Sequence, residues 1–162
     1  MEIKGTYTAI ITPFRGEEVD YDGLRQNLRR QIAAGVDGIV ALGTTAETPT
    51  LSEQEQTKII GVCREECAGK TMLVVGTGSN STGHAIRNTK IAKCLGADGA
   101  LMVTPYYNKP TQEGIFRHFK AVCDAVDMPI IVYNIPGRCG VNIETATLQR
   151  IAQLENVAAV KE

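Results

Sequence analysis

The chain has 162 residues, of which 43% are hydrophobic and 22% charged, a composition typical of one folded globular domain. Its net charge of −1 argues against nucleic acid or an anionic membrane as the main partner. No run of about 18 apolar residues occurs, and the N-terminal segment turns polar too early for a secretory signal. We therefore expect a cytoplasmic protein that binds neither nucleic acid nor membrane.

The chain contains five cysteines and two histidines, and no CxxC spacing occurs. Four of the cysteines lie in segments with helical periodicity: Cys63, Cys67, Cys94 and Cys123. We predict that these four pack as small apolar residues in a reducing compartment. Neither His84 nor His118 lies in a cluster with metal-ligand spacing, so no metal site is predicted.

Six short apolar runs predict buried strands, because they are continuous rather than alternating, as in parallel sheets covered on both faces. In chain order the runs are TYTAII from Thr6, DGIVAL from Asp37, TMLVVG from Thr71, GALMVT from Gly99, PIIVY from Pro129 and VAAVK from Val157. Helical periodicity covers the segments Tyr21 to Gly35, Ser52 to Gly69 and Thr111 to Val126.

Local signals mark the helix ends. Ser52 and Glu55 have the spacing of a capping box at the start of the second predicted helix. Gly35, Gly69 and Gly96 fall where helices are expected to end.

The predicted strands recur about every 30 residues, which is the length of one β–α unit. This alternation predicts either a (β/α)8 barrel or a doubly wound parallel sheet. No complete glycine-rich phosphate-binding motif follows a predicted strand, which argues against a nucleotide site. A whole barrel needs about 250 residues. We therefore expect residues 1–162 to be an incomplete barrel that lacks the last two strands.

In such barrels the active site is built from residues at the carboxyl ends of the strands. The predicted ends carry hydroxyls, phenols, one arginine and one lysine: Thr44, Thr45, Tyr106, Tyr107, Tyr133, Arg138 and Lys161. These groups favour carbonyl chemistry by an amine over metal-assisted hydrolysis or phosphoryl transfer.

Lys161 is the only one of eight lysines that ends an apolar strand, so we predict that it is the nucleophile. The alternative is a strand-end lysine that extends into water. A lysine amine attacks a carbonyl only when it is neutral, and burial is one way in which enzymes keep it neutral. We therefore expect the amine of Lys161 to be buried.

Hydroxyl groups suit the proton transfers that accompany imine and carbon–carbon bond formation. Tyr133, Thr44 and Tyr107 are candidates for such a relay, and ordinary packing is the alternative for the two phenols. Arg138 follows a predicted Pro-Gly turn. It is either a fork for a substrate carboxylate or a solvated loop residue.

Four elements in order resemble the pyruvate-dependent class I aldolases, and among them most closely the dihydrodipicolinate synthases. The elements are GTTAE (Gly43 to Glu47), TPYYNKP (Thr104 to Pro110), YNIPGRCG (Tyr133 to Gly140) and Lys161. The resemblance covers the whole chain. It implies a (β/α)8 barrel followed by a small helical domain, in a homotetramer built as a dimer of dimers. Residues 1–162 would then hold about six strands and lack the last two strands and the helical domain.

The resemblance also implies roles for four residues in catalysis. Lys161 matches the lysine that forms an imine with pyruvate, with no further cofactor. Tyr133 matches the tyrosine that moves protons at the imine. Thr44 and Tyr107 match its relay partners, and Tyr107 would come from the neighbouring subunit across the tight dimer interface.

Two further residues match substrate-binding positions of the family. Thr45 matches the group that holds the carboxylate of pyruvate, and Arg138 matches the arginine that receives the carboxylate of aspartate semialdehyde. The resemblance thus implies condensation of pyruvate with L-aspartate-4-semialdehyde in lysine and diaminopimelate biosynthesis. The alternatives are cleavage of a 2-keto-3-deoxy sugar acid or sialic acid, or a partial barrel without catalytic activity.

Two departures from the family pattern lead to expectations of their own. Ala46 stands where the loop usually has glycine, so we expect a slightly shifted pyruvate loop. His84 stands where lysine-inhibited members carry an acidic residue that binds the amine of the effector. We therefore expect feedback by lysine to be weak.

Overall fold

The computed structural model describes residues 3–162, which fall into two compact units. The N-terminal unit comprises Lys4–Gly76 and Cys94–Asp98. The C-terminal unit comprises Thr77–Lys93 and Gly99–Glu162, together with Ile3. Each unit contains three of the six predicted parallel strands, with helices between them in the chain.

The N-terminal unit is a three-stranded parallel sheet, a short hairpin and two long helices. Its elements are β1 (Tyr7–Ala9), β2 (Phe14–Arg15), β3 (Glu18–Val19), α1 (Tyr21–Ala33), β4 (Gly38–Ala41), α2 (Glu53–Cys67) and β5 (Met72–Gly76). Strand β4 pairs in parallel with both β1 and β5. The antiparallel hairpin β2–β3 is not predicted from the sequence, because strands of two residues are too short to show a periodic pattern.

Tyr7 and Gly38 are register partners in the pairing of β1 with β4. The Tyr7 ring occupies the space that a Cβ atom at position 38 would need, so only glycine can stand opposite this tyrosine. The Tyr7 hydroxyl donates to Sδ of Met72 in β5 at 2.9 Å. One aromatic side chain therefore contacts all three strands of this sheet.

The ends of the helices follow the signals in the sequence. Helix α2 begins after the N-cap Ser52, and the capping box with Glu55 is confirmed. The predicted stops at Gly35, Gly69 and Gly96 are also confirmed, since each adopts a positive φ, of 80°, 70° and 84° respectively.

A buried carboxylate joins α1 to α2. Glu66 of α2 is 6% exposed and accepts two hydrogen bonds from Arg29 of α1, at 2.9 and 2.7 Å, and a third from Arg25 at 3.2 Å. The bonds from Arg29 lower the pKa of Glu66 to about 2, although burial acts in the opposite direction. This ion pair therefore stabilises the packing of α1 on α2 while Glu66 is ionised.

The C-terminal unit repeats the alternation of strands and helices. Its elements are α3 (Thr82–Cys94, whose last residue is grouped with the N-terminal unit), β6 (Gly99–Val103), α4 (Gln112–Ala125), β7 (Ile130–Tyr133), α5 (Pro136–Cys139), α6 (Thr145–Ile151) and β8 (Val157–Lys161). Strand β7 pairs in parallel with both β6 and β8. All six predicted strands are thus confirmed in the structure, with ends that move by no more than a few residues.

The core of the C-terminal unit lies between its strands and its helices. Its fully buried members include Met102 of β6, Phe119 of α4, Ile130 and Val132 of β7, and Ile151 of α6. Because side chains alternate along a strand, Ile130 and Val132 face the helices and Tyr133 faces the opposite side of the sheet. This alternation sets the direction of the tyrosine.

Two expectations are corrected by the structure, one about Arg138 and one about the cysteines. Arg138 does not follow a simple turn, because Pro136–Cys139 form a short helix with the proline in its first turn. Cys63 and Cys67 are buried as predicted, whereas Cys123 is only partly buried and Cys94 is exposed. Cys94 ends α3, and a residue on the last turn of a helix easily faces water.

Among residues 3–162, no helix is long and apolar enough to cross a membrane.

We expect the substitution Glu66→Gln to lower the free energy of unfolding by about 1–3 kcal/mol at neutral pH, because charge-assisted bonds to Arg29 and Arg25 are lost. Since folding lowers the pKa of Glu66 from 4.5 to about 2, its contribution is complete above about pH 4.5 and disappears as the pH falls toward 2. Denaturant unfolding of both proteins across this range measures the difference.

The neighbouring Glu65 provides a matched control, because its side chain is 64% exposed and its hydrogen bond among the described residues goes to Arg25, at 2.6 Å. We expect Glu65→Gln to change the stability by less than about 0.5 kcal/mol. Equal effects of the two substitutions, or a Glu66 effect that is independent of pH, would contradict the role given to Glu66.

Candidate active site

Tyr133 and Lys161 are brought together by the pairing of β7 with β8. They are register partners at the carboxyl ends of the two strands. The Nζ atom of Lys161 lies 4.3 Å from the centre of the Tyr133 ring. The predicted nucleophile and the predicted proton carrier therefore meet at one end of the sheet, as barrel architecture requires.

A register shift in β8 makes this meeting possible. Ile130 pairs with Val157, but Ile131 pairs with Ala159, so Ala158 is an extra residue in β8. Without the shift, Val160 would stand opposite Tyr133, and Lys161 would fall on the face that packs against the helices. The extra residue therefore places the amine beside the phenol.

Lys161 is exposed among the described residues, and burial of its amine in the mouth of a complete barrel stays a prediction. Among the strands described in the C-terminal unit, β8 pairs only with β7. Val160, the preceding residue, is also 41% exposed. Whether a side chain is buried depends on the elements that pack around it. The continuous apolar run in β8 therefore does not show whether Lys161 is buried.

Tyr107 lies in the loop between β6 and α4, and its side chain is 89% exposed. Its backbone has a φ of 71°, which is uncommon for an aromatic residue. The following residue fixes this geometry, because the Asn108 N–H donates to Tyr106 O at 2.8 Å and its side-chain amide donates to Asn80 O at 3.0 Å. An exposed tyrosine on a strained backbone is typical of a functional position.

Arg138 lies in α5, directly after the loop that leaves β7, and it is exposed. The N-terminal end of α5 is fixed by Pro136, and its C-terminal end by Gly140, which adopts a φ of 69°. The guanidinium group is thus presented to solvent from a short, well-defined helix, where it can bind a carboxylate in bidentate fashion.

Asn134 is a buried polar residue for which the sequence predicts no role. Its side-chain amide donates to Oδ1 of Asn142 at 2.8 Å and to both carboxylate oxygens of Glu162 at 3.2 Å. Its own Oδ1 accepts from the backbone N–H of Ile143 at 3.1 Å. The sequence shows that an asparagine directly follows a buried strand. It does not show the hydrogen-bond partners of that asparagine, which lie farther along the chain.

Thr44 and Thr45 belong to the N-terminal unit, where they occupy one 3-10 turn after β4, and both are exposed. The turn is tied to the rest of its unit by backbone and side-chain bonds. Thr48 Oγ1 donates to Gly43 O at 3.0 Å, and Thr12 Oγ1 donates to Ala46 O at 2.8 Å. The two threonine hydroxyls are thus presented by a fixed backbone.

Ala46 fits the backbone of this turn, and the shifted pyruvate loop expected from it stays a prediction. Ala46 ends the 3-10 turn, its N–H donates to Gly43 O at 3.1 Å, and its side chain is buried. It is not among the described residues with a positive φ, whereas the next residue, Glu47, has a φ of 56°. The strained positions after β4 are therefore Glu47 and Leu42, which has a φ of 53°, and alanine is accommodated at position 46.

Cys63, Cys67 and His118 are buried and are not among the candidate site residues described above. Burial raises the pKa of Cys63 to about 12 and that of Cys67 to about 11, so both remain thiols. Burial lowers the pKa of His118 to about 4, and its Nδ1 lies 2.9 Å from Thr82 Oγ1. Among residues 3–162, no group of three or more His, Cys, Asp or Glu side chains is arranged to hold a metal ion.

Comparison with known proteins places the chain in a family. The model of the dihydrodipicolinate synthetase family matches residues 2–162, and the chain belongs to this family. A 4-hydroxy-tetrahydrodipicolinate synthase of Protochlamydia amoebophila is 53% identical over 100% of this chain and 54% of its own length. One of Geotalea uraniireducens is 52% identical over 98% of this chain and 55% of its own length.

A solved structure shows the same fold. The 4-hydroxy-tetrahydrodipicolinate synthase of Methylacidiphilum fumariolicum superposes with a TM-score of 0.97 at 46% identity, over 99% of this chain and 54% of that one. This similarity confirms the predicted fold class, a (β/α)8 barrel of which the chain carries six strands. The chain spans about half the length of the curated relatives it matches.

We expect two neighbouring glycine substitutions to have different effects on stability. Ala46→Gly should lower the free energy of unfolding by about 0.5–1 kcal/mol, because the turn accommodates alanine and glycine adds freedom to the unfolded chain. Glu47→Gly should be neutral or stabilise by up to about 1 kcal/mol, because glycine relieves a left-handed backbone. Denaturant unfolding measures both, and stabilisation by Ala46→Gly would show that the loop is strained at position 46.

Proposed function

We propose that the complete protein is a Schiff-base-forming lyase that condenses pyruvate with L-aspartate-4-semialdehyde to 4-hydroxy-tetrahydrodipicolinate, in lysine and diaminopimelate biosynthesis. The observation that carries the proposal is the amine of Lys161, held 4.3 Å from the Tyr133 ring at the carboxyl ends of β7 and β8. The names of the relatives, all 4-hydroxy-tetrahydrodipicolinate synthases among those compared above, support the same reaction.

The reaction begins when the neutral amine of Lys161 attacks C2 of pyruvate and water leaves, which forms an imine. Loss of a proton from C3 then gives an enamine, and this carbon attacks the aldehyde carbon of the second substrate. The amino group of that substrate then attacks C2 of the restored imine, which closes the ring and releases the amine of Lys161. Each step moves a proton, and Tyr133 can carry it because its ring centre lies 4.3 Å from the Nζ atom of Lys161. No further cofactor is needed, because the imine itself accepts the electron pair.

The remaining residues take the roles implied by the resemblance. Thr44 and Tyr107 pass protons to and from Tyr133, and Thr45 with its loop backbone binds the carboxylate of pyruvate. The exposed hydroxyls of the threonine pair support these roles, since they are free to meet a substrate. Arg138 binds the carboxylate of the semialdehyde, which its exposed position on α5 supports.

We further propose that the complete protein is a cytoplasmic homotetramer, a dimer of dimers in which Tyr107 crosses the tight dimer interface. The exposure of Tyr107, 89% in the isolated chain, supports this assembly, because a large aromatic side chain gains most from burial against a second surface.

Borohydride reduction in the presence of pyruvate tests the proposed imine. We expect a stable adduct on Lys161 in the complete protein, located by peptide mass spectrometry, and no adduct in Lys161→Arg, because a guanidinium forms no imine. Lys109 serves as an internal control, since it lies in the loop between β6 and α4 and should stay unmodified. A label on any other lysine, with Lys161 unmodified, would refute the assignment.

Arg138→Ala separates the two substrates. We expect kcat/KM for aspartate semialdehyde to fall about 10- to 150-fold, which corresponds to about 1.5–3 kcal/mol for a charge-assisted pair. Imine formation with pyruvate should be unchanged. Loss of pyruvate binding with unchanged semialdehyde kinetics would contradict this role. Faster cleavage of a sugar acid than condensation, in the unaltered protein, would favour the retro-aldolase alternative.

Feedback by lysine is expected to be weak. The acidic residue that pairs with the effector amine in inhibited members is replaced by His84, which is exposed on α3. An ammonium group bound without an opposite charge loses about two decades of affinity. Steady-state rates at rising lysine measure this, and His84→Glu should strengthen inhibition by about 10- to 100-fold. Inhibition of the unaltered protein well below about 1 mM would contradict the expectation.

A further inference from the structure

The side chain of Asn134 lies at the centre of a hydrogen-bond network at the carboxyl end of β7. The residue is 4% exposed, and its amide donates to Asn142 Oδ1 at 2.8 Å and to both carboxylate oxygens of Glu162 at 3.2 Å. Its Oδ1 accepts from the Ile143 N–H at 3.1 Å. Both donor hydrogens and the acceptor of this buried amide are therefore used.

The network is connected to the proposed catalytic pair through the backbone. Asn134 directly follows Tyr133, and Glu162 directly follows Lys161. The Asn134 N–H also donates to the Lys161 carbonyl oxygen at 2.9 Å, one residue beyond the paired ends of β7 and β8. The backbone and side-chain bonds of Asn134 thus hold the carbonyl group of Lys161 and the residue that follows it.

The same network reaches the N-terminal end of α4. Gln112 donates to Asn142 O at 2.8 Å and accepts from the Glu144 N–H at 3.1 Å, so the segment that contacts Asn134 is itself fixed. Among the strands described in the C-terminal unit, β8 pairs only with β7. The network therefore adds constraints at the carboxyl end of β8 to those of its pairing with β7.

We propose that Asn134 is a positioning residue for imine formation: it fixes the carboxylate of Glu162 and thereby the direction of the Lys161 side chain beside Tyr133. The inference rests on the proposed function and adds to it a buried residue to which the resemblance assigns no role. Free rotation at the end of β8 would spread the amine over many orientations, and few of them permit attack on a bound carbonyl.

A swap of donor and acceptor in the complete protein tests this proposal. Asn134→Asp cannot donate to Glu162 and places two carboxylates together, so the rate of borohydride trapping with pyruvate should fall about 10-fold. In the double variant Asn134→Asp with Glu162→Gln, the new amide donates to the new carboxylate. We expect its trapping rate to return to within about 3-fold of the unaltered protein, which a double-mutant cycle records as coupling.

Asn156 supplies the matched control. Its amide donates to the carbonyl oxygens of Cys123 at 3.3 Å and Val126 at 3.2 Å, and it contacts neither Tyr133 nor Lys161 through any hydrogen bond described in its unit. Asn156→Asp should lower stability without changing the rate of trapping. If Asn134→Asp does not fold, the exposed Glu162 allows the substitution Glu162→Ala, which should slow trapping several-fold in a folded protein.

The outcomes separate this proposal from the one on which it rests. Trapping on Lys161 in the unaltered protein, with equal rates in Asn134→Asp or Glu162→Ala, overturns the positioning role alone. Slow single variants with no recovery in the double variant also overturn it, because Asn134 would then not act through Glu162. Absence of any adduct on Lys161 in the unaltered protein overturns both proposals.

Discussion

The register between β7 and β8 decides which side chain of β8 shares a face with Tyr133. Side chains alternate along a strand, so a shift of one residue moves every following side chain to the other face. The extra residue at Ala158 makes this shift, and it pairs Ala159 with Ile131 and Lys161 with Tyr133. Chemistry at this end of the sheet depends on it, because the amine would otherwise point toward the helices.

The elements of the fold can be predicted from the sequence because their signals are local. Continuous apolar runs predict the strands, and Ser52 with Glu55 predicts the start of α2. The shift at Ala158 cannot be predicted in this way. VAAVK is equally apolar with or without it, and the pairing depends on a strand that lies 27 residues earlier.

The candidate site can be predicted from the sequence only in part. Chain order and barrel architecture bring Tyr133 and Lys161 to one end of the sheet, and the structure confirms this. The exposure of Lys161 could not be predicted, because burial depends on what else covers the strand end. The sequence shows Asn134 only as a polar residue after a strand, because its hydrogen bonds to Asn142 and Glu162 join side chains 8 and 28 positions apart.

The effect of a residue that departs from the family pattern also depends on the backbone geometry at its position and not on its residue type alone. Ala46 replaces a glycine, yet it closes an ordinary 3-10 turn, and the left-handed backbone belongs to Glu47. The rule that glycine marks unusual backbone angles is sound, but only the folded chain shows which position of a loop has them.

Tyr7 and Gly38 show how one close contact limits the drift of a sequence. The ring of Tyr7 fills the place of any side chain at position 38, so position 38 must stay glycine while Tyr7 is present. A larger residue at 38 requires a smaller one at 7, and that change removes the bond to Met72. Across descendants of a common ancestor, these two positions should therefore be inherited as a linked pair, with single replacements purged by selection.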